Sequence, residues 1–447
     1  MTIKRYSAYK DSDAKWVSEI PIHWKEKRVK ELGNLVLGKM LDNNSGKGKF
    51  LKKYLKSKNI GWLITDVSNV EEMYFYKYEI LLYRIKIFDI LLSEGGEVGK
   101  TSFWNNELNE CYIQNSVHKF TPNRHNYSRY LLYISFAIGN AKYYDSIVNF
   151  VSIKHLTKEK LSRVIWLSPP ISEQKSISEY LDTKTAQIDK KIDLLTKKST
   201  LYSNLKQSLI NETVTQGLDK LVPMKDSGIE WIGDVPKHWI NRRIKDFINS
   251  NNSVKIPIIL DEYDLVEFVP MTNVDENYGI VKEFNFVPLK EICSGYTKFK
   301  NGDVIFAKIT PCMENGNVAL IYGLKHNIGF GSTEFMVFRP LKLLTSKYLH
   351  YFLHNDLFRR NAEPFMKGTA GQKRITTLYM STHYFSCPPL QEQKEIADYL
   401  DTKTAQIDQI IQTINTQIAT LKELRKTLIN DVVTGKICVL NEEHSNV

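Results

Sequence analysis

No stretch of the 447 residues reaches the roughly 18 consecutive apolar residues that a membrane span requires. The N-terminus "MTIKRYSAYKDSD" also lacks the apolar run of a secretory signal, so a cytoplasmic protein with no membrane contact is expected. Cysteine is scarce. The five thiols, Cys111, Cys293, Cys312, Cys387 and Cys438, are scattered and form no CxxC pair, which argues against a disulfide framework and a zinc knuckle. Hydrophobic residues at 42% and charged residues at 25% describe a globular chain, with about two to four domains for this length.

Acidic charge is the other shortage, and it is local. Residues 1–168 carry 27 Lys+Arg against 17 Asp+Glu, a net of +10, whereas the remaining residues carry 34 against 33. An excess of positive charge on one domain suits a polyanion such as nucleic acid.

Motifs for catalysis are also missing. "SEGGEVGKT" (Ser93–Thr101) approaches a P-loop, but Glu94 stands where GxxxxGK[ST] needs its first glycine. His350 and His354 are four apart in "HYFLH" without the glutamate of a zinc-protease helix, so packing on a helix is expected. "SPPI" and "CPPL" lack the leading Asn or Asp of an amino-methyltransferase motif. A chain of this size without a catalytic constellation is expected to bind or assemble.

What is abundant is repetition. "PPISEQKSISEYLDTKTAQID" (Pro169–Asp189) returns as "PPLQEQKEIADYLDTKTAQID" (Pro388–Asp408), 219 residues later, with ten residues unchanged. "KDSDAKWVSEIPIHWKEKRVKEL" from Lys10 returns as "KDSGIEWIGDVPKHWINRRIKDF" from Lys225, pairing Trp24 with Trp239. Shared ends therefore enclose two divergent middles.

After each Pro-Pro the pattern is helical. Leu181, Ile188, Leu195, Tyr202 and Leu209 fall seven apart, as do Leu400, Ile407, Ile414, Leu421 and Leu428. Ile192, Ile411 and Ile418 fill alternating positions, giving the 4-3 seam of a coiled coil. Pro170 with Ser172, and Pro389, mark the starts; Gly217 and Gly435 mark the ends of helices of about 40 residues and about 60 Å. Each stripe either packs onto its own globular domain or pairs with the other; equal register favours mutual antiparallel pairing about a pseudo-twofold axis. The expected fold is α+β, two mixed α/β domains held apart by two long antiparallel helices. The boundaries are 1–168 and 219–387 for the domains, with 169–218 and 388–447 for the helical spacers. A rod with a reader at each end suits a duplex whose helical turn repeats about every 34 Å.

Candidate DNA-binding residues lie in the middles. "SGKGKFLKKYLKSK" (Ser45–Lys58) reads as a basic loop able to follow a phosphate backbone through Lys47, Lys49, Lys52, Lys53, Lys56 and Lys58, or as a solvated surface segment. "MKGTAGQKRIT" (Met366–Thr376) combines glycines with Gln372, Lys373 and Arg374, which suit base edges or phosphates. Lys154 lies in "NFVSIKHLTKEK" (Asn149–Lys160), the corresponding part of the first half.

The order of these parts, with "PPxxEQ" helices ending near "LINETVTQG" and "LINDVVTGK", the paired "IPIHWKEKRVKEL" and "VPKHWINRRIKDF", and "GSTEFMVFRP", resembles the specificity subunit of type I restriction-modification systems. The resemblance covers nearly the whole chain. It implies two target recognition domains that each read half of a bipartite site, and helices that act as spacer and dock two methyltransferase subunits. It also implies a chain that is not itself an enzyme and binds no cofactor. S-adenosylmethionine, ATP and magnesium would belong to the methyltransferase and restriction partners.

Overall fold

A computed structural model describes residues 4–148, 154–249, 254–276, 278–369 and 371–440. The chain forms two compact units, residues 1–195 with 416–447, and residues 196–415. The second repeats the plan of the first.

In the first unit an antiparallel sheet has the strand order Gly33–Leu37, Val117–Pro122, Ile90–Ser93, Thr101–Phe103. Its central strand "ILLS" is buried on both faces, as a continuous apolar run predicts. Ile90 and Leu92 point into a core with helix Ser128–Asn140, and Leu91 points the other way, to Leu55, Trp104 and Ile113. Beyond that second core lies a three-stranded sheet, Glu71–Tyr76, Lys49–Leu55, Tyr112–Ile113. The basic segment expected to be a loop is thus largely a strand. Its apolar Tyr54 and Leu55 are buried, so the lysines are fixed on a sheet.

The second unit has the same first sheet, in the order Ile248–Asn249, Phe335–Pro340, Val304–Ala307, Val318–Leu320. Val304 and Phe306 face the core that contains helix Ser346–His354, and Ile305 faces the opposite one. Its second sheet runs Asn285–Pro288, Leu265–Val269, Gly329–Gly331, Thr297–Phe299.

The repeated motifs account for how each unit closes. Trp24 is fully buried, and its indole N–H donates to Glu173 Oε1 at 3.0 Å while His23 Nε2 meets Oε2 at 2.9 Å. Trp239 and His238 make the same contacts to Glu392, at 3.1 and 2.7 Å. A hydrogen bond to a carboxylate contributes about 1.5–3 kcal/mol, so glutamate is the residue that can hold both rings. The neighbouring glutamine is a bracket. Gln174 donates to Pro169 O at 2.9 Å and accepts from Tyr127 N at 2.8 Å, just ahead of helix Ser128–Asn140. Gln393 does the same with Pro388 O and Thr345 N, at 2.9 and 2.8 Å. In the shared decapeptide, Asp182 accepts from Arg129 and Tyr133, and Asp401 from Lys347 and Tyr351. Pro-Pro-x-x-Glu-Gln and the acid that follows it therefore fasten a long helix to its own domain.

The long helices span Ile171–Gln216 and Leu390–Val433, close to the expected bounds. Within the first unit, Ile177 and Leu181 share a core with Ile429, Val432 and Val433, while Asp189 reaches Arg425 at 3.0 Å. One helix advances as the other recedes, which makes them antiparallel. Within the second unit Ile396 and Leu400 meet Ile210 and Val214, and Asp408 reaches Lys206 at 2.8 Å. Leu181 and Leu400 are fully buried against their own domains, and Ile407 and Ile414 are buried further along. Ile188, Ile192, Leu195, Ile411, Ile418 and Leu421 are half-buried. Both expected packings occur, in succession along the same stripe. Among the described residues no helix is long and apolar enough to cross a membrane.

Candidate nucleic-acid interface

Two equivalent loops carry the candidate residues. In the second unit, Lys367 and Arg374 bond reciprocally through their backbones, at 2.9 and 2.8 Å, and close a short ribbon around Thr369–Lys373. Gly368 has φ +134°, and a Cβ there would stand 2.6 Å from Gln372 O, so the turn requires glycine. Ile375, buried at the base, donates its N–H to Lys308 O at 2.9 Å. Thr376 caps the helix Thr377–Thr382, its side chain accepting from Tyr379 N. A rigid base thus supports exposed Gln372 and Lys373. Ala370 lies outside the described residues.

Arg374 is already engaged. Its guanidinium grips Glu334 through two nitrogens, at 2.7 and 2.9 Å, and these hydrogen bonds hold the Glu334 carboxyl below its ordinary range. A base or phosphate contact by Arg374 has to compete with Glu334 or share the guanidinium with it.

The first unit builds the same base with different side chains. Leu156, fully buried, donates its N–H to Glu94 O at 2.8 Å, and Thr157 caps the helix Lys158–Arg163. Lys154 and His155 therefore stand where Lys373 and Arg374 stand in the second unit. His155 Nδ1 meets Glu94 Oε2 at 2.9 Å, and Lys154 Nζ meets Asp145 at 2.7 Å. His155 and Glu334 were not singled out from the sequence, and Glu94 entered only as a departure from a P-loop. The signal was available, because the 219-residue offset persists upstream of the Pro-Pro and places Lys154 on Lys373 and Thr157 on Thr376. Asn149–Ile153 of this segment lie outside the described residues.

The lysines of the first unit divide into two groups. Lys49 binds Asp42 at 2.9 Å, Lys52 binds Glu110 at 2.7 Å, and Lys56 and Lys58 share Glu71 at 2.5 and 3.2 Å. Hydrogen bonds from Lys56, Tyr54 and Lys58 bring the Glu71 carboxyl down to about 2. Lys47 and Lys53 are exposed, and neither has an ion pair among the described residues. Formal charge therefore overstates the positive field of the segment Ser45–Lys58, because four of its six ammonium groups are matched locally.

The motifs set aside as catalytic have structural roles. "SEGGEVGKT" is a hairpin turn between strands Ile90–Ser93 and Thr101–Phe103, not a strand-to-helix phosphate loop, and Gly99 packs on the Tyr144 ring. His350 and His354 stack at 5.9 Å in the core; burial brings them down to about 4 and about 3. Burial pushes the Cys111 and Cys387 thiols up to about 12, so neither is a nucleophile at neutral pH. Among the described residues no cluster of three His, Cys, Asp or Glu is placed to hold a metal ion.

Comparison with known proteins matches this architecture. The family model for the type I restriction modification DNA specificity domain matches twice, at residues 21–199 and 236–420. The specificity subunit of the type I restriction enzyme EcoAI from Escherichia coli is 36% identical over 183 residues, 41% of this chain and 31% of that protein. The EcoEI specificity subunit from the same species is 28% identical over 197 residues, 44% and 33% of the two chains. The chain thus spans about a third of the length of these two curated relatives. The EcoBI subunit, also from Escherichia coli, is 20% identical over 357 residues, 78% and 73% of the two chains. Among solved structures, a chain from work on complex assembly and conformational transition of the type I R-M system superposes with a TM-score of 0.69 at 16% identity. It covers 94% of this chain and 99% of that one. The HsdS subunit from Thermoanaerobacter tengcongensis gives 0.52 at 16% identity, covering 94% and 98%. At these identities the structural likeness establishes the fold.

Proposed function

The chain belongs to the type I restriction-modification DNA specificity family, and on that premise we propose that it is the DNA-reading, non-catalytic subunit of such a complex. Each unit reads one half of a bipartite duplex site through the segment ahead of its short capped helix: Gln372, Lys373 and Arg374 in the second, Lys154 and His155 in the first. The observation that carries this reading is a shared base, the Leu156 and Ile375 backbone bonds followed by the Thr157 and Thr376 helix caps, under segments whose sequences differ. A fixed frame with a variable tip suits a protein that reads two different sequences with one fold.

The helices are proposed to set the gap between half-sites and to dock two methyltransferase subunits, with restriction subunits joining the assembly. The identical decapeptide supports this. Its inward residues fasten the helix, but Thr183, Ala186 and Gln187 are exposed, as are Thr402, Ala405 and Gln406. The core does not require identity at these positions; two copies of one partner do. Leu205 and Leu424 are likewise 219 residues apart and expose 53% and 51% of their surface. S-adenosylmethionine, ATP and magnesium are assigned to those partners.

The test is selection from a duplex library with two randomised half-sites and variable gaps. The expected result is two distinct motifs at one preferred gap, with Gln372→Ala and Lys373→Ala relaxing one motif only. Enrichment of a single motif, or of no sequence, overturns the two-reader assignment.

A further inference from the structure

Beside the Gln372–Arg374 loop, within the second unit, a cleft of about 240 Å³ opens on the first sheet. Its floor is apolar, formed by Phe335, Met336 and Phe338 of the strand Phe335–Pro340. The rim is polar. Thr297 and Lys298 come from one side, Lys308 from the strand end that anchors Ile375, and Thr377 and Ser381 from the short helix after the loop.

The two lysines contrast with those of the first unit. Neither Lys298 nor Lys308 forms an ion pair among the described residues. Glu334, which faces the field of Lys308, is already committed to Arg374. Lys298 instead lies over the Phe330 ring, at 5.8 Å. Two half-buried ammonium groups and three hydroxyls thus surround a concave surface that lacks a matching negative charge. Ammonium and hydroxyl donors together are the set that holds a phosphate, and the apolar floor suits the face of a deoxyribose.

We propose that this cleft holds a backbone phosphodiester of the DNA next to the bases read by the Gln372–Arg374 loop, with Lys298 and Lys308 as its charge partners. The proposal rests on the DNA-reading function above. It places a phosphate anchor on the second unit, where formal charge gives no hint of one. The first unit cannot repeat it, since Glu94 occupies the position of Lys308. The anchor would orient the ribbon on the duplex without selecting sequence.

The test is the salt dependence of duplex binding by the full chain, unsubstituted and as K298Q/K308Q. Each phosphate neutralised contributes about 0.9 to the slope of log K against log salt. The double variant, which gives up that one phosphate, should therefore be shallower by about 0.9 and weaker by roughly tenfold to a hundredfold at low salt, with unchanged sequence preference. K298R/K308R should retain the slope. If the double variant does not fold, K298Q and K308Q singly decide the matter, each expected to remove part of that roughly 0.9. An unaltered slope in a folded variant overturns the cleft and leaves the DNA reading intact. Absence of binding by the unsubstituted chain overturns both. Inorganic phosphate, matched in ionic strength with chloride, separates the other source of the same chemistry. Saturable phosphate binding that the double variant loses while its DNA slope stays the same assigns the cleft to free phosphate and overturns the DNA assignment.

Discussion

Asp189 and Arg425 meet across the two long helices at 3.0 Å, and Asp408 and Lys206 meet at 2.8 Å at the positions 219 residues away from each. Each acid is the last residue of the shared decapeptide. Each base comes from the far end of the other helix. Within each unit the pair holds the antiparallel register where apolar contacts between nearly interchangeable aliphatics alone would allow a slip.

The pair in the second unit is the more enclosed, with side-chain exposures of 11% for Lys206 and 21% for Asp408. Asp408→Asn withdraws the carboxylate that accepts from Lys206 and should cost about 1–3 kcal/mol. Exchanging the charges, K206D with D408K, should recover part of the loss. Thermal melting of the three variants checks this; equal melting of Asp408→Asn and the unsubstituted chain would remove the pair from the stability argument.

Each long helix ends on a glycine in the left-handed region. A Cβ on Gly435 would sit 2.4 Å from the Pro21 ring, at φ +77°. On Gly217 it would sit 2.9 Å from Glu392 Oε1, the end of a side chain, at φ +74°. Gly435→Ala should therefore cost about 2–4 kcal/mol, combining backbone strain with overpacking, and Gly217→Ala about 1–2 kcal/mol. Denaturant midpoints of the two variants should fall in that order.

Acid should weaken the second unit before the first. Burial lowers His350 and His383 to about 4 and His354 to about 3, the last also through His350, Arg359 and Lys206. The folded unit keeps these rings neutral while the unfolded chain protonates them near 6.5, so the unfolded state binds more protons. The stabilising effect is complete above about pH 6.5 and is lost as pH falls toward 4. Melting temperature should drop across that window, and His354→Gln, which can still donate to Glu276 O, should flatten the drop by about one proton. Hydrogen exchange should locate the early opening around Ser346–His354. Early opening around Ser128–Asn140 instead would contradict the assignment.

Within the basic segment Ser45–Lys58, the lysines should separate into two classes. Lys47→Gln and Lys53→Gln should each make the DNA-binding salt slope shallower by about 0.9 if they touch phosphate. Lys49→Gln should leave the slope unchanged and lower stability, since it releases Asp42, whose carboxyl the Lys49 hydrogen bond helps hold down to about 2. Equal slopes for all three variants would show that the local ion pairs do not decide which lysines reach DNA.

The sequence by itself determined the repeat, the two long helices with both ends, and the seam from Leu181 to Leu421, because periodicity and punctuation are local properties of the chain. It also weighed against a phosphate loop at "SEGGEVGKT" and against a metal helix at His350 and His354, whose spacing lacks residues those chemistries need. Tertiary structure alone decided what the repeated pieces do. Glu173 holding Trp24 and Gln174 bridging Pro169 to Tyr127 are contacts over 149 and 47 residues, beyond any local pattern. The same holds for charge. Composition counted Lys49, Lys52, Lys56 and Lys58 as positive surface, but the fold brings Asp42, Glu110 and Glu71 to them, and it leaves Lys298 and Lys308, in a part of the chain with almost no net charge, facing a cleft and without an ion pair among the described residues. Net charge adds up along a chain, whereas the field a ligand meets depends on which charges the fold has already paired.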